Sequence, residues 1–170
     1  DETMDIVAFR KEKLPAGGLS PVLIKLEEII SELVVEKAIS PDQLGSIGVA
    51  VPGSIDPSAQ KVIHAHNLGF HNVPIKSEIM KCFPETPVFI ANDADAAALG
   101  ELHAGVKKKK KTAVLITIGT GVGGGLILNG KMFRGGLGHG VELGHMMLKY
   151  GGELCSCGNR GCVEAYCSAS

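Results

Sequence analysis

The chain has 170 residues, and its 17 lysines and arginines nearly balance 18 aspartates and glutamates, for a formal net charge of −1. This balance gives no electrostatic reason to expect nucleic acid or an anionic membrane as a partner. No apolar run approaches the ~20 residues that a membrane-spanning helix needs. Because no secretory signal precedes the five cysteines, we predict a cytoplasmic protein. The length of the chain suits one domain or two small ones.

The N-terminal half alternates predicted strands with predicted helices. Residues 1–15 have the pattern of a strand already in progress, and a domain rarely begins there, so we expect a segment of a longer protein. Apolar residues recur with a helical period over Leu19–Ala38, where Ser20 is placed as the cap and Pro21 in the first turn. Further on, the pattern predicts a strand over Ile47–Val51, a helix over Pro74–Phe83 and a strand over Val88–Ala91 that runs into an alanine-rich helix. This alternation predicts a largely parallel sheet and an α/β class.

Five consecutive lysines, Lys107–Lys111, follow this first half. No second basic cluster and no aromatic interleaving accompany them, so the run is typical of a solvated connector and not of a nucleic-acid site. It makes a natural domain boundary. Beyond it, an apolar strand, a glycine loop and a second apolar strand that turns at Asn129 and Gly130 predict a hairpin.

Three cysteines and a histidine near the end of the chain have the spacing of ligands to one metal ion. Cys155, Cys157 and Cys162 lie on a glycine-rich turn, and a short loop brings upstream His145 within reach. This set predicts a Cys3His zinc site, and the ion would be structural because four protein ligands leave no position for water. Disulfides or plain buried thiols are the disfavoured alternative, since five cysteines cannot all pair. His139 competes with His145 as the fourth ligand.

The glycine loop at Gly119–Gly125 directly follows an apolar strand. Glycines there let backbone amides approach an anion where a side chain would intrude, and phosphate is the expected ligand. A plain strand-to-strand turn is the alternative. A Walker-type loop is excluded because no Lys-Ser or Lys-Thr pair follows.

Asn92 and Asp93 follow a predicted buried strand, and ligands bind at strand ends in open α/β sheets. An amide and a carboxylate side by side are suited to fix one sugar hydroxyl and to accept the proton of another, as transfer of phosphate to an alcohol requires. Helix capping by Asp93 is the alternative. Asp95 is predicted to lie at the surface or to act as a cap.

Glu142 and Glu164 flank the proposed zinc site on both sides. The ion would therefore hold two carboxylates in fixed orientation. His145 would bind zinc through one ring nitrogen and donate from the other to a carboxylate or a hydroxyl.

Five motifs in their order and spacing resemble the ROK family, which groups bacterial sugar kinases with repressors and lies within the actin-like ATPase superfamily. The resemblance covers nearly the whole chain from about Gly45 onward, and the cysteine motif is specific. Within the family, the likeness is to the glucokinases. The motifs are VPGSID (Val51–Asp56), ANDADAAALGE (Ala91–Glu101), TIGTGVGGG (Thr117–Gly125), ELGH (Glu142–His145) and CSCGNRGCVEA (Cys155–Ala165).

The resemblance implies roles residue by residue, with Asp93 as the catalytic base that accepts the proton of the attacking sugar hydroxyl. The family's sugar-binding positions fall on Gly53, Asn92, Asp93, Glu142, His145 and Glu164. Its phosphate-binding hairpin falls on Gly119, Thr120, Gly121, Gly123 and Gly124. Its zinc ligands fall on His145, Cys155, Cys157 and Cys162.

The family also places the loop over residues 66–74 near the sugar, often with Trp where this chain has Phe70. That substitution leaves the roles of Asn67 and His71 open. His64 and His66 are predicted to lie at the surface.

The implied fold is the α/β actin-like ATPase (ribonuclease H-like) fold, with parts of two domains and mixed sheets. Residues 1–107 would be the N-terminal α/β domain without its first hairpin, since no acidic strand with a Gly-Gly-Thr loop occurs. Residues 108–170 would be the start of the C-terminal α/β domain, with the phosphate hairpin and the zinc loop. We therefore expect the isolated segment to be inactive.

The activity that the resemblance implies for the parent protein is that of an ATP-dependent hexose kinase of carbohydrate metabolism and glycolysis. Glucokinase is the expected activity, with Mg²⁺ and a structural Zn²⁺. Its ligands would be a sugar and a nucleotide, and neither nucleic acid nor a membrane is expected as a partner. The full-length protein would form a homodimer or a homotetramer. Kinases for N-acetylmannosamine, N-acetylglucosamine or another hexose are alternatives, because residue types do not fix the sugar. A sugar-responsive repressor with an upstream DNA-binding domain, or a zinc-stabilised binding module without catalysis, is a further alternative.

Overall fold

The computed structural model describes residues 5–40, 43–65, 68–105, 110–136 and 141–169. The chain divides into two compact units, Asp1–Asn92 and Asp93–Ser170. The first contains α1 (Leu19–Glu36), β1 (Ile47–Val51), β2 (Ser54–Ile55), β3 (Val62–Ala65), β4 (Phe70–Val73), α2 (Ile75–Cys82) and β5 (Val88–Asn92). The second contains α3 (Asp93–Ala104), β6 (Ala113–Ile118), β7 (Val122–Leu128), β8 (Lys131–Phe133), a 3-10 helix (Leu143–His145) and α4 (Glu164–Cys167). The predicted boundary between residues 107 and 108 lies outside the described residues and stays a prediction.

Strands β1 and β5 form a parallel pair at the centre of the first unit. Ile47 lies opposite Val88, and Val51 lies opposite Asn92, so both strands end at the same edge. The predicted strands and the predicted helix over Pro74–Phe83 are confirmed to within a residue or two. Apolar side chains from both strands and from the two helices share one core, which includes Val22, Val51, Ile75, Ile79, Val88 and Ile90.

A second sheet in the first unit was not predicted. Strands β2, β3 and β4 form a three-stranded antiparallel sheet where the sequence indicated only a loop. These strands are two to four residues long and carry polar residues such as His64 and His71, so no alternating pattern marks them. Burial of Val62 and Phe70 anchors the sheet to the core. The expectation of a largely parallel sheet is therefore wrong for the described residues, where one parallel pair accompanies two antiparallel sheets.

Two predictions near the N-terminus are also wrong. The part of the predicted first strand that the structure describes, from residue 5 to residue 15, has no strand pairing, and Ile6 and Phe9 are 85% and 71% exposed. An apolar extended segment without a neighbouring strand cannot form a ladder. Ser20 is not the helix cap either, because α1 already begins at Leu19 with Gly18 at the N-cap and without a side-chain cap hydrogen bond.

In the second unit, α3 packs on the antiparallel sheet β6-β7-β8. Small residues allow this close approach, since a Cβ atom at Gly125 would lie 2.6 Å from the Cβ of Ala98. The predicted hairpin turn is confirmed, with Asn129 and Gly130 at φ values of 53° and 77°. The Gly130 amide also donates to the Lys111 carbonyl at 2.6 Å. Of the helices in the described part of the chain, none has the length and apolar character to span a membrane.

Asp56 organises the turn between β2 and β3. Its Oδ1 accepts the backbone amides of Gln60 and Lys61 at 2.7 and 2.6 Å, and its Oδ2 accepts the amide and the hydroxyl of Ser58. Burial opposes ionisation of this carboxyl, but the hydrogen bonds from Ser58, Lys61 and Gln60 outweigh it and lower the pKa to about 2. The ionised form is therefore the one that stabilises the turn.

We expect Asp56→Asn to lower the free energy of unfolding at pH 7, because the neutral amide is a weaker acceptor for these donors. The folded pKa of about 2 lies below the unfolded value of about 3.9. The contribution of Asp56 is thus complete above about pH 4 and is lost as the pH falls towards 2. Urea denaturation of both proteins between pH 7 and pH 2.5 measures this. The difference should shrink in that window, and exposed Glu85→Gln serves as the control; a difference independent of pH would contradict the assignment.

Candidate functional site

The carboxyl ends of β1 and β5 carry two of the predicted sugar-binding positions, Gly53 and Asn92. The side-chain amide of Asn92 donates to the Gly53 carbonyl at 3.0 Å. This hydrogen bond links the turn after β1 to the last residue of β5 and fixes the orientation of the Asn92 side chain. Open α/β sheets bind ligands at this edge.

Asp93, the predicted base, is the first residue of α3 and is exposed. Its Oδ1 accepts the amide of the next residue, Ala94, at 2.9 Å. An N-cap accepts an amide two or three residues further on, so this contact does not establish the alternative of helix capping. The positive end of the helix dipole favours a carboxylate at this position. An accessible carboxylate with one oxygen fixed by the backbone is suited to accept a proton from a bound hydroxyl.

Asp95 is not the surface or cap residue that the sequence indicated. It is 5% exposed, and its Oδ2 lies 3.5 Å from Nε of Arg134, just after β8. Burial raises the pKa of the Asp95 carboxyl, while the Arg134 guanidinium opposes that rise. The distant partner explains the error, because sequence spacing carries no sign that Arg134 lies over this turn of α3.

The predicted zinc ligands converge in the second unit. The ligand atoms of His145, Cys155, Cys157 and Cys162 all lie within 4.8 Å of one another. The Cys157 and Cys162 sulfurs are 3.7 Å apart, and the Cys155 sulfur lies 3.7 Å from His145 Nδ1. A tetrahedral ion with Zn–S bonds of about 2.3 Å and a Zn–N bond of about 2.0–2.1 Å would separate two sulfurs by about 3.8 Å and sulfur from nitrogen by about 3.6 Å. The donor set thus fits a tetrahedral zinc ion in both chemistry and spacing.

Tight turns hold the three thiols in place. The Gly158 amide donates to the Cys155 carbonyl at 2.9 Å, and the Cys155 amide donates to the Asn159 carbonyl at 2.8 Å. Gly158 and Gly161 have φ values of 89° and 83°, which disfavour other residues. Cys162 pairs with Met147 in an isolated antiparallel bridge. The loop therefore presents its thiols through backbone geometry and does not depend on a large apolar core.

The structure does not have the disulfides that were the alternative to a zinc site. All five cysteines are free thiols, and 3.7 Å between the Cys157 and Cys162 sulfurs far exceeds the ~2.05 Å of a disulfide. Burial and the neighbouring thiols of Cys157 and Cys155 raise the pKa of Cys162 to about 12, whereas the amide of Asn159 lowers the pKa of Cys157. A bound cation would favour the thiolate form of its cysteine ligands.

Glu164 joins the thiol loop to the hairpin. Its Oε2 accepts the amide of Val122, the first residue of β7, at 2.9 Å, and its Oε1 accepts the Ser156 hydroxyl at 2.6 Å. The Cys155 sulfur lies 3.6 Å from the same Oε1. These contacts lower the pKa of Glu164, the Ser156 hydroxyl most strongly and the Val122 amide next. Sequence reasoning missed Ser156, although its position between Cys155 and Cys157 is a signal that it belongs to this loop.

Glu142, the other flanking carboxylate, is exposed, and its backbone carbonyl accepts the His145 amide at 3.0 Å. The 3-10 helix thus sets the position of His145 relative to Glu142. Because Nδ1 of His145 faces the Cys155 sulfur, Nε2 is the ring nitrogen available for a second role.

The predicted glycine loop is longer than the observed one, because only residues 119–121 lie between β6 and β7, whereas Gly123, Gly124 and Gly125 lie within β7. The glycines of this segment are closely packed. A Cβ atom at Gly121 would lie 2.7 Å from Glu164 Oε2, and one at Gly123 would lie 2.7 Å from Thr117 Oγ1. Two of the loop's amides donate within the unit, that of Gly119 to the Gly121 carbonyl and that of Val122 to Glu164. Packing therefore accounts for Gly121 and Gly123, and their part in binding phosphate stays a prediction.

Some predicted residues lie elsewhere. His66, Asn67, His139 and Lys107–Lys109 lie outside the described residues. His71 is exposed on β4 and His64 is half-buried on β3, where the two imidazoles contact each other.

Comparison with known proteins identifies relatives of two kinds. A sequence model of the ROK family matches residues 7–170. The xylose repressor of Bacillus subtilis is 39% identical over 151 residues, which is 88% of this chain and 39% of the repressor. The glucokinase of Thermotoga maritima is 35% identical over 161 residues, which is 94% of this chain and 49% of the enzyme. The chain thus spans half or less of the length of these relatives.

Among solved structures, a ROK family glucokinase from Streptomyces griseus in complex with glucose and AMPPNP matches with a TM-score of 0.80 and 30% identity. The match covers 99% of this chain and 52% of that one. ROK sugar kinases have the actin-like ATPase fold, so the predicted fold class is confirmed.

Proposed function

The chain belongs to the ROK family, and we propose that it is part of an ATP-dependent hexose kinase, with glucose as the first sugar to test. One observation carries the proposal. Asp93 presents an exposed carboxylate at the start of α3, directly after Asn92, whose side-chain amide is anchored on Gly53. A base next to an oriented amide is what transfer of a phosphoryl group to a sugar hydroxyl requires.

In the proposed reaction, a sugar hydroxyl attacks the γ-phosphorus of ATP in line with the leaving ADP oxygen. Asp93 accepts the hydroxyl proton as the new oxygen–phosphorus bond forms, and the ADP oxygen leaves with the electron pair of the broken bond. Mg²⁺ bound with the nucleotide would neutralise phosphate charge. The residues that match the family's sugar-binding positions, Gly53, Asn92, Glu142, His145 and Glu164, are the groups proposed to contact the sugar.

Zinc has a structural part in this proposal. The Cys3His set would hold the ion in the thiol loop, and the ion would fix His145 and, through the Cys155 and Ser156 contacts, Glu164. A closed shell of four protein ligands has no open position for substrate or water. Thiolate ligands persist in reducing compartments, which is why a cytoplasmic location belongs to the proposal.

A sugar-responsive repressor is the second candidate, and the similarity to a xylose repressor favours it. Both candidates need a sugar site, but only the kinase needs a base and a phosphate site. The longer natural protein that contains this segment should form ADP in a coupled assay with glucose, mannose, N-acetylmannosamine or N-acetylglucosamine. A lack of ADP formation with every sugar, together with DNA binding that a sugar reverses, would identify the repressor.

The role of the glycine loop is tested best at Gly119. Apart from Gly119 and its two chain neighbours, no described residue lies within 4 Å of a Cβ placed there, whereas a Cβ at Gly121 would meet Glu164. We expect Gly119→Val in the longer protein to raise KM for ATP about tenfold or more and to leave KM for sugar nearly unchanged, since the side chain would obstruct phosphate without disturbing Glu164.

Steady-state kinetics with each substrate varied in turn measures this prediction. Gly136→Val is a control at another glycine, where no described residue beyond its chain neighbours lies within 4 Å of an added Cβ. An unchanged KM for ATP would mean that the loop is only a turn between strands.

A further inference from the structure

Two histidines of the unpredicted antiparallel sheet form a close pair. His64 on β3 lies directly opposite His71 on β4, and their Nδ1 atoms are 3.1 Å apart. The ring planes are inclined by 72°, and the ring centroids are 4.3 Å apart. Because the centroids are further apart than the nitrogens, the two Nδ1 atoms are the near ends of the rings.

We propose that His64 and His71 chelate one divalent first-row transition-metal ion through their Nδ1 atoms, at a site in the first unit that is separate from the Cys3His cluster. Imidazole nitrogen is a preferred ligand of Zn²⁺, Ni²⁺ and Cu²⁺. With metal–nitrogen bonds of about 2.0–2.1 Å, the 3.1 Å separation corresponds to an angle at the metal of about 98°. This angle lies between the right angle of square-planar or octahedral sites and the tetrahedral angle.

The proton balance of the site is simple. In the hydrogen-bonded pair one Nδ1 donates to the other, so one ring carries its proton on Nδ1. When that ring takes the Nε2–H tautomer, both Nδ1 lone pairs are available, and two neutral imidazoles bind the ion without a net loss of protons. Solvent or a further ligand would complete the coordination shell.

The backbone holds the two ligands in register before any ion binds. The neighbouring cross-strand pairs place apolar residues on either side of the histidine pair: buried Val62 with partly buried Val73, and buried Ala65 with buried Phe70. Ser54 on β2 lies opposite His64 and extends the same row of side chains. An ion bound to both histidines would link β3 to β4, and a ligand that binds only the folded sheet stabilises it.

Ni²⁺ is the probe for a test on the chain that has first been given one equivalent of Zn²⁺, which the proposed Cys3His site would bind. Calorimetric titration at pH 7.5 should detect one Ni²⁺ per chain. His64→Gln and His71→Gln should each weaken that binding at least tenfold, because each removes one of two ligands. His103→Gln, which removes an exposed histidine of α3, should leave it unchanged.

The thermal midpoint of each variant without Ni²⁺ shows whether it folds. If a variant fails to fold, Ni²⁺ should still broaden the imidazole C–H resonances of His64 and His71 in the wild-type chain at lower concentration than those of His103. Unchanged Ni²⁺ affinity in both folded variants, or broadening that affects the three histidines alike, would overturn the proposal.

Discussion

Asp93→Asn is expected to lower the turnover number of the longer natural protein by about 10²–10⁴-fold, the range that loss of a general base produces. Asparagine has nearly the same shape and keeps an oxygen that can accept the Ala94 amide, as Oδ1 of Asp93 does at 2.9 Å. The start of α3 should therefore be preserved. What is lost is the ability to accept a proton from the attacking hydroxyl.

Three measurements separate lost basicity from lost structure. Sugar affinity, from calorimetry, should stay within about tenfold of the wild-type value, because loss of a base acts mainly on the transition state. The thermal midpoint should change little. Glu101→Gln neutralises an exposed carboxylate at the other end of α3 and should leave turnover unchanged. Turnover of Asp93→Asn within threefold of wild type would remove Asp93 from the mechanism.

Local signals were enough to predict the regular elements. The helical period over Leu19–Ala38, the buried run Ile47–Val51 and the Asn-Gly turn at Asn129 each depend on neighbours a few residues away. The structure has these elements where they were expected, and the helix ends two residues earlier, at Glu36. The sheet of β2, β3 and β4 was missed because its strands are short and its polar residues break the pattern. Burial of side chains such as Val62 and Phe70 in a core shared with distant residues anchors it.

In the candidate site too, contacts between residues close in the sequence could be predicted, whereas contacts between distant residues could not. The Cys3His cluster was predictable because three of its ligands lie on one short loop, and the structure brings all four ligand atoms together. The partner of Asp95 was not, because Arg134 approaches from another element. The position of the glycine loop was predictable, but its packing was not, since the hydrogen bond from the Val122 amide to Glu164 joins residues 42 positions apart. Pairings of this kind are set by tertiary structure, which sequence spacing does not encode.

The purified protein is expected to contain one zinc ion per chain, and Cys157→Ala is expected to lose it and to unfold at a much lower temperature. The thiol loop has little apolar core of its own, so part of the metal-binding free energy is folding free energy. A loss of only ~2 kcal/mol would lower the thermal midpoint by about 8–16 °C for a unit of this size. Zinc analysis by mass spectrometry and thermal unfolding measure both effects. Sugar affinity of the longer protein should fall more than nucleotide affinity, because the thiol loop contacts Glu164 through Cys155 and Ser156.

Cys167→Ala is the matched control, since Cys167 is an exposed free thiol of α4 that lies outside the cluster. It should retain both the zinc and the wild-type midpoint, which separates loss of a ligand from loss of any thiol. His145→Ala should behave like Cys157→Ala, whereas His139→Ala should keep its zinc, because Nδ1 of His145 already lies 3.7 Å from the Cys155 sulfur. Zinc retained in both His145→Ala and Cys157→Ala, or a disulfide between Cys157 and Cys162 in the purified protein, would show that these four side chains do not form a zinc site.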